Sequence, residues 1–495
     1  MTFLTIRKTN LLFVFTDEQS ISTMRSYGNA IINTPNMDKL ADQSVVFEHA
    51  YVTQPVCTPS RASLLTGLYP HVHGCIANNI PLDMELPCLP EMGDFSDYRT
   101  GYFGKWHLGD EVFPQHGFRK WVSYEDSYRM GYSNGRDQKI HSSYHHYLVE
   151  QGFKPDKIAK DGFEFFSRDY CARLPEEHGK PAYTAREVTR FIRENEDNPF
   201  IAYVNFLEPH MPYFGPRDEQ YDPDKVVLPA NFGHMLSEEH PLKTRLFHQA
   251  YLEYGHSGLS LQTEDDWRKM IAHYWGLVSL VDTHLGVILQ TLEDCGLADR
   301  TIVVFTSDHG DMMGSHRLLA KCVMFEEAIK VPLLLKVPGL KPARIREPVS
   351  QIDLVPTLLE ALGQHTSAPL QGESLLPFLQ GQAARVRDHV FVEWNGSECG
   401  LEGHLQKGFM LPCWNHMATE EQAERAIGAK VRTVITPDMW KYNFSSIGED
   451  ELYNLNDDPA ETCNLIGDAA YQMRVFQMRE KIKEWQRQTG DPLFD

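Results

Sequence analysis

"NLLFVFTDE" (residues 10–18) and "TIVVFTSDHGD" (residues 301–311) share one plan: a continuous apolar run that stops at a small hydroxyl residue and an aspartate. Apolarity without alternation marks a central strand covered on both faces, as in a parallel α/β sheet. Helical patterns flank both runs, "TPNMDKLADQS" after the first and a long one over 267–292 before the second. In open α/β sheets, ligands bind beyond the carboxyl ends of the strands. If the two strands are neighbours, Asp17, Glu18, Asp308 and His309 fall at one edge of the sheet. Three carboxylates and an imidazole gathered there repel one another unless a cation joins them, and hard oxygen donors suit Ca²⁺ or Mg²⁺. The alternative is that each acid only caps the turn after its strand.

A second stretch, "QPVCTPSRASLLTG" (54–67), predicts a helix from about Pro59 to Thr66, with Cys57 or Thr58 at the N-cap and Gly67 at the far end. The backbone N–H groups and dipole at such a start favour an anion. Arg61 follows Cys57 by about one helical turn, the spacing at which two side chains share a face. A thiolate phosphatase is excluded by spacing: its loop needs five residues between nucleophile and arginine, and here there are three, one of them proline. A merely structural thiol stays open at this point.

At 495 residues the chain exceeds what one core usually organises, which predicts one large domain and a smaller one. Its net charge of −21 argues against a general affinity for nucleic acid or acidic membranes. The apolar run at Leu11–Phe15 is too short for a signal peptide, and the stretch 270–294 carries His273, Asp282 and His284, so it reads as a core helix. A cytoplasmic protein is the expectation. Nine scattered cysteines without C-x-x-C pairs predict reduced thiols.

"CTPSRASLLTG" (57–67) resembles the signature of the type I sulfatases, the formylglycine-dependent members of the alkaline-phosphatase-like superfamily. The likeness extends along the chain through "FTDEQ", "GYFGKWHLG" (101–109), "NFLEPHMPY" (205–213), "SDHGDMMGSHRLLAK" (307–321) and "ELYNLNDDPAETCNL" (451–465). It implies a large central mixed or parallel sheet flanked by helices, then a smaller C-terminal α+β subdomain with an antiparallel sheet and a helix. The expected division is 1–380, with an insertion over 124–180, and 381–495. The resemblance makes Cys57 the precursor of formylglycine, produced by a maturation enzyme. Its hydrate is the nucleophile, so a serine at 57 would stall as a stable ester.

Asp17, Glu18, Asp308, His309 and the converted Cys57 would hold Ca²⁺, with Mn²⁺ or Mg²⁺ as alternatives. Arg61, Lys105 and Lys321 would hold the sulfuryl oxygens. His210, with Lys321, would protonate the leaving oxygen, and His107 would act as the base that restores the aldehyde. The implied reaction is hydrolysis of a small sulfate monoester of a sugar, alcohol or aryl group. The alternative is a phosphonate monoester or phosphodiester hydrolase on the same site. An anion-binding protein with an unconverted Cys57 is the reading from another class.

Further expectations concern residues around this set. His316 contacts substrate or supports Lys321. His71 and His73 order a loop or back the site, and Asn78 and Asn79 approach the substrate. His141, His145 and His146 lie on the surface or in the substrate pocket. Specificity is expected from 124–180, 214–262 and 393–417, where Trp394 and Trp414 either stack on a ring or are buried.

Overall fold

The computed structural model describes residues 8–256, 258–396 and 410–493. Its first strand, β1 (Asn10–Asp17), is buried along its whole length. Successive side chains serve opposite faces: Leu12 and Val14 join one apolar cluster, Leu11, Phe13 and Phe15 the other. That is why the run is apolar without alternation. β1 lies between β7 (Phe200–Pro209) and β8 (Thr301–Ser307), parallel to both. The two quoted runs are therefore neighbours.

The sheet continues outward through β2 (Val45–Tyr51), β3 (Arg99–Phe103), β4 (Lys120–Val122), β9 (Lys330–Lys336) and β10 (Ala343–Ile345). Its order is β10-β2-β9-β8-β1-β7-β3-β4, with β11 (Val349–Ser350) also paired to β2. β9 runs antiparallel to β8 and β2, so the sheet is mixed. The long helix Glu264–Asp294 packs on one face, opened by a capping box between Thr263 and Asp266. Its length and apolarity alone would allow a membrane crossing, but 67% of its most apolar stretch is buried in the fold. Asp282 within it is buried and accepts the backbone N–H groups of Asn36 and Met37, at the start of the helix Pro35–Ala41.

Residues 124–180 carry the helices Ser143–Glu150 and Arg168–Ala172 and a two-stranded ribbon of β5 (Lys157–Ile158) and β6 (Glu164–Phe165). A second sheet, β12 (Val390–Asn395), β13 (Lys430–Ile435), β14 (Trp440–Ser445) and β15 (Glu451–Asn454), is antiparallel throughout. The helix Gln472–Thr489 packs against it through Val475, Met478, Ile482 and Trp485.

One open alternative is decided and two expectations are corrected. Trp394 and Trp414 are buried, at 1% and 0% exposure, with the Trp414 ring N–H given to the Leu246 carbonyl; neither is available to stack on a sugar. Among the described residues seven cysteines are free thiols, but Cys322 is disulfide-bonded; Cys399 and the rest of 397–409 lie outside the described residues. The helix predicted from Pro59 begins at Cys57, with Val56 as its N-cap. Its start is satisfied from a distance, since Asn78 Oδ1 accepts the Thr58 N–H at 3.1 Å.

Candidate active site

The carboxyl ends of β8, β1, β7 and β3 lie side by side, and each delivers polar residues to the same edge. Asp17 ends β1, Asp308 and His309 follow β8, His210 follows β7, and Lys105 and His107 follow β3. Two glycines permit the approach. Gly104 has φ +122°, and a Cβ there would meet the Asn205 carbonyl oxygen at 2.2 Å. A Cβ on Gly310 would sit 1.9 Å from the Glu327 carbonyl oxygen.

Cys57 is the first residue of its helix and points into this edge. Its Sγ lies 3.3 Å from His309 Nε2, 3.5 Å from Lys321 Nζ and 3.7 Å from Asp17 Oδ1. The ligand atoms of Asp17, Cys57, Asp308 and His309 are all within 4.8 Å of one another, and all four residues are buried. His309 Nδ1 is engaged by the Gly310 carbonyl at 2.9 Å, so Nε2 is the atom that faces the cluster. Ser60, one turn along the helix, donates to the Asp308 carbonyl oxygen and locks helix to strand end.

Arg61 is 1% exposed, and each of its nitrogens has a partner. Nε donates to Asp308 Oδ2 and Nη2 to Asp17 Oδ2, each at 2.9 Å. Nη1 donates to the Lys105 carbonyl at 2.7 Å and to Asn205 Oδ1 at 3.2 Å. The guanidinium clamps the two carboxylates and leaves Asp17 Oδ1 turned toward Cys57 and His309. Lys105 Nζ reaches Asp17 Oδ2 at 2.6 Å. Burial works against the Asp17 carboxylate, but Lys105, then His210 and Arg61, hold it well below the usual range. Burial and Asp17 also oppose the Cys57 thiolate, yet Lys105, Lys321 and His309 bring the thiol below its ordinary value. His309 is raised to about 9: burial disfavours its charge and Asp308 more than compensates.

Glu18 stands apart from the four-residue cluster. Its Oε2 accepts from Lys321 Nζ at 2.9 Å and faces His210 Nε2 at 3.4 Å; its Oε1 is buried with no hydrogen-bond partner. Burial lifts this carboxyl to about 7 despite Lys321. Asp17, Glu18 and His210 form a second converging group that shares Asp17 with the first. Burial and Lys321 push His210 well below the ordinary histidine range, and its Nδ1 is engaged by the Met211 carbonyl.

His107, at φ +60°, is held there by Glu111, which accepts the N–H groups of Trp106 and His107 at 2.8 and 2.7 Å. Its Nε2 meets Asn79 Oδ1 at 3.0 Å, which places the proton on Nε2 and leaves Nδ1, buried and unpartnered, as the lone-pair nitrogen. Burial first, then Lys105 and Arg61, keep the ring neutral. Asn79 therefore orients a histidine, as Asn78 caps a helix.

Lys321 is presented by a loop closed on Asp311, which accepts from Tyr213 Oη, Met313 N and Ala320 N. Glu111, Asn205, Asp311 and Tyr213 escaped sequence reading, because single residues in loops, or one asparagine within the apolar strand β7, carry no periodic signal. His316 faces Asn231, His234 and Phe325 and supports the same loop. His71 pairs with Glu393 on β12 and His73 with Ser63, so both are structural. His141 and His145 stack at 3.7 Å beside Asp126, and His146 is exposed.

Comparison with known proteins bears on the family and the fold. The family model described as Sulfatase matches residues 9–364. An uncharacterised sulfatase of Escherichia coli K12 is 27% identical, over 99% of this chain and 89% of that protein. The N-acetylglucosamine-6-O-sulfatase of Bacteroides thetaiotaomicron is 26% identical over 98% and 87%. The solved phosphonate monoester hydrolase of Silicibacter pomeroyi superposes with a TM-score of 0.76 at 23% identity, over 99% and 97% of the two chains, which establishes the shared fold. A family match over more than two-thirds of the chain means that the chain belongs to the sulfatase family, the sulfuric ester hydrolases.

Proposed function

We propose that the protein hydrolyses the sulfate monoester of a small alcohol, foremost a sugar, with Cys57 as a formylglycine precursor and a divalent cation beside it. The observation that carries this reading is the meeting of Asp17, Asp308, His309 and Cys57 in one buried cluster ringed by Arg61, Lys105 and Lys321. The sugar is favoured by the likeness to an N-acetylglucosamine-6-O-sulfatase.

The donor set fits a hard cation. Asp17 Oδ1 takes no N–H donor, Glu18 Oε1 has no partner, and His309 turns Nε2 inward. Asp17, Asp308 and His309 would hold the ion, with Glu18 at its margin. Carboxylate oxygens suit Ca²⁺ or Mg²⁺, and one imidazole also admits Mn²⁺. When bound, the ion and the aldehyde at position 57 supply an acidified hydroxyl as nucleophile.

The remaining work belongs to the chain. Four of the five Arg61 N–H groups are committed, so its first part is to fix the two carboxylates, with one Nη2 N–H left for a sulfuryl oxygen. Lys105 and Lys321 flank Cys57 and would steady the ester's oxygens, a contribution of roughly 3 kcal/mol for each well-placed donor. His107, neutral and with Nδ1 free, has the state of a base. His210 would serve the leaving oxygen.

The test compares an aryl sulfate with an aryl phosphonate on protein matured by a formylglycine-generating enzyme. The expected result is a preference for the sulfate, lost on Cys57→Ala and on chelation. A preference for the phosphonate overturns the sulfate reading. Mass spectrometry of the Cys57 peptide disposes of the unconverted anion-binding alternative when it finds formylglycine.

A further inference from the structure

The insertion sends two side chains toward the reaction centre. The Tyr128 ring stacks on His107 with centroids 4.3 Å apart, and its hydroxyl accepts from Arg168 Nη2 at 2.8 Å. Arg168 opens the helix Arg168–Ala172, and its Nε donates to Glu125 Oε2 at 2.9 Å. The other Glu125 oxygen accepts from Lys180 Nζ at 2.8 Å. Arg168 lines one cavity with His210, Lys180, Glu208, Leu207 and Phe214.

Charge in this corner does not balance. Two cations share the single carboxylate of Glu125, which they hold ionised against its burial. Glu208, lifted by burial to about 7, is only about half ionised at neutral pH and offsets part of the excess. The Arg168 side chain is 28% exposed while that of Glu125 is 3% exposed, so solutes reach the cation and not its counter-ion. Among the described residues no protein atom accepts from Nη1. A held, reachable guanidinium beside the leaving-group histidine serves no purpose for a neutral alcohol. It suits a leaving alcohol with a negative charge of its own, since the planar fork pairs with two oxygens of one anion.

We infer that Arg168, presented by Glu125 and Tyr128, is an anion subsite that binds a second negatively charged group, a carboxylate or a sulfate, on the alcohol portion of the ester. The inference rests on the ester-hydrolase reading of the site above.

The experiment uses the full chain, matured and supplied with Ca²⁺, at constant ionic strength. Its substrates are a nitrophenyl sulfate, the same ester with a ring carboxylate, the same ester with a second sulfate, and the phosphonate counterparts. A charge-assisted contact of this kind predicts a kcat/KM about ten- to a hundredfold higher for a charged ester, mostly through KM. Arg168→Gln should bring that ratio close to one, Arg168→Lys should restore part of it, and Tyr128→Phe should lower it. The carboxylate and second-sulfate arms identify the anion. A ratio unchanged by Arg168→Gln, or equal losses on plain and charged esters, overturns the subsite and leaves Arg168 as a brace of the insertion. Turnover of phosphonates alone overturns the sulfate reading, while the charged-to-plain ratio within that series still decides the subsite. If no ester is turned over, the subsite is decided by calorimetric binding of the nitrophenol against its carboxylate-bearing analogue, to wild type and Arg168→Gln. Tighter binding of the charged analogue that Arg168→Gln abolishes supports the subsite, and equal binding overturns it.

Discussion

Arg61→Met, in chelator-treated protein, should cost about 3–5 kcal/mol of stability, the range for removing one partner of a buried ion pair. The magnitude follows from what the guanidinium holds. Its Nε and Nη2 bind Asp308 and Asp17, both fully buried, and Nη1 binds two further oxygens. Methionine keeps much of the side-chain volume but no donor. Asp17 would retain Lys105, whereas Asp308 would keep only the backbone N–H groups of Glu18 and His309 and the Nε2 of His309, 3.6 Å away. Proton uptake by the stranded carboxyl softens the loss, which keeps it inside that range. A divalent ion restores part of the missing charge, and at a hundred times its Kd it adds about 2.7 kcal/mol. The assay is urea unfolding of wild type and variant, each with EDTA and with excess Ca²⁺. The variant should lose most in EDTA, and Ca²⁺ should narrow the gap. A variant that unfolds within about 0.5 kcal/mol of wild type in EDTA, the spread of an innocuous surface change, would refute the clamp.

Three shorter predictions follow from the same geometry. Glu111→Gln puts an amide N–H where one of two backbone donors now binds, so His107 should lose its pose, with kcat down at least about tenfold and Ca²⁺ affinity, read by calorimetry, near wild type. His73 is buried beside Ser63 and depressed by burial to about 3, against 6.5 when free. The unfolded chain then takes the proton first, so stability present above pH 6.5 is lost as the pH falls toward 3. About 1.5 kcal/mol of that loss comes between pH 6.5 and 5, and melts of His73→Gln should show a shallower slope there. Chelation should lower the melting temperature and abolish aryl sulfate turnover, with both restored by Ca²⁺ in wild type; an Asp308→Asn variant that recovers equally well would remove Asp308 from the ligand set.

The sequence alone established the two central strands, because a strand covered on both faces must be apolar at every position, as Leu11–Phe15 and Ile302–Phe305 are, while their adjacency came from the fold. The acids at the strand ends and the Cys57 helix were equally legible, being contiguous runs whose order in the chain matches a known family. The tertiary structure decided which of those residues face one another and what each is free to do. Arg61 looked wholly available to a substrate, but Asp17, Lys105, Asn205 and Asp308, from four separate segments, take four of its five N–H groups. The helix start shifted from Pro59 to Cys57 because its capping acceptor is Asn78, twenty residues beyond Thr58. Trp394 and Trp414 went into the core, and Arg168 came to the rim through Glu125 and Tyr128. Periodicity records only which face of an element is buried. The partners of a buried polar atom are whichever groups the fold brings within about 3 Å, and those distances exist only once the chain has folded.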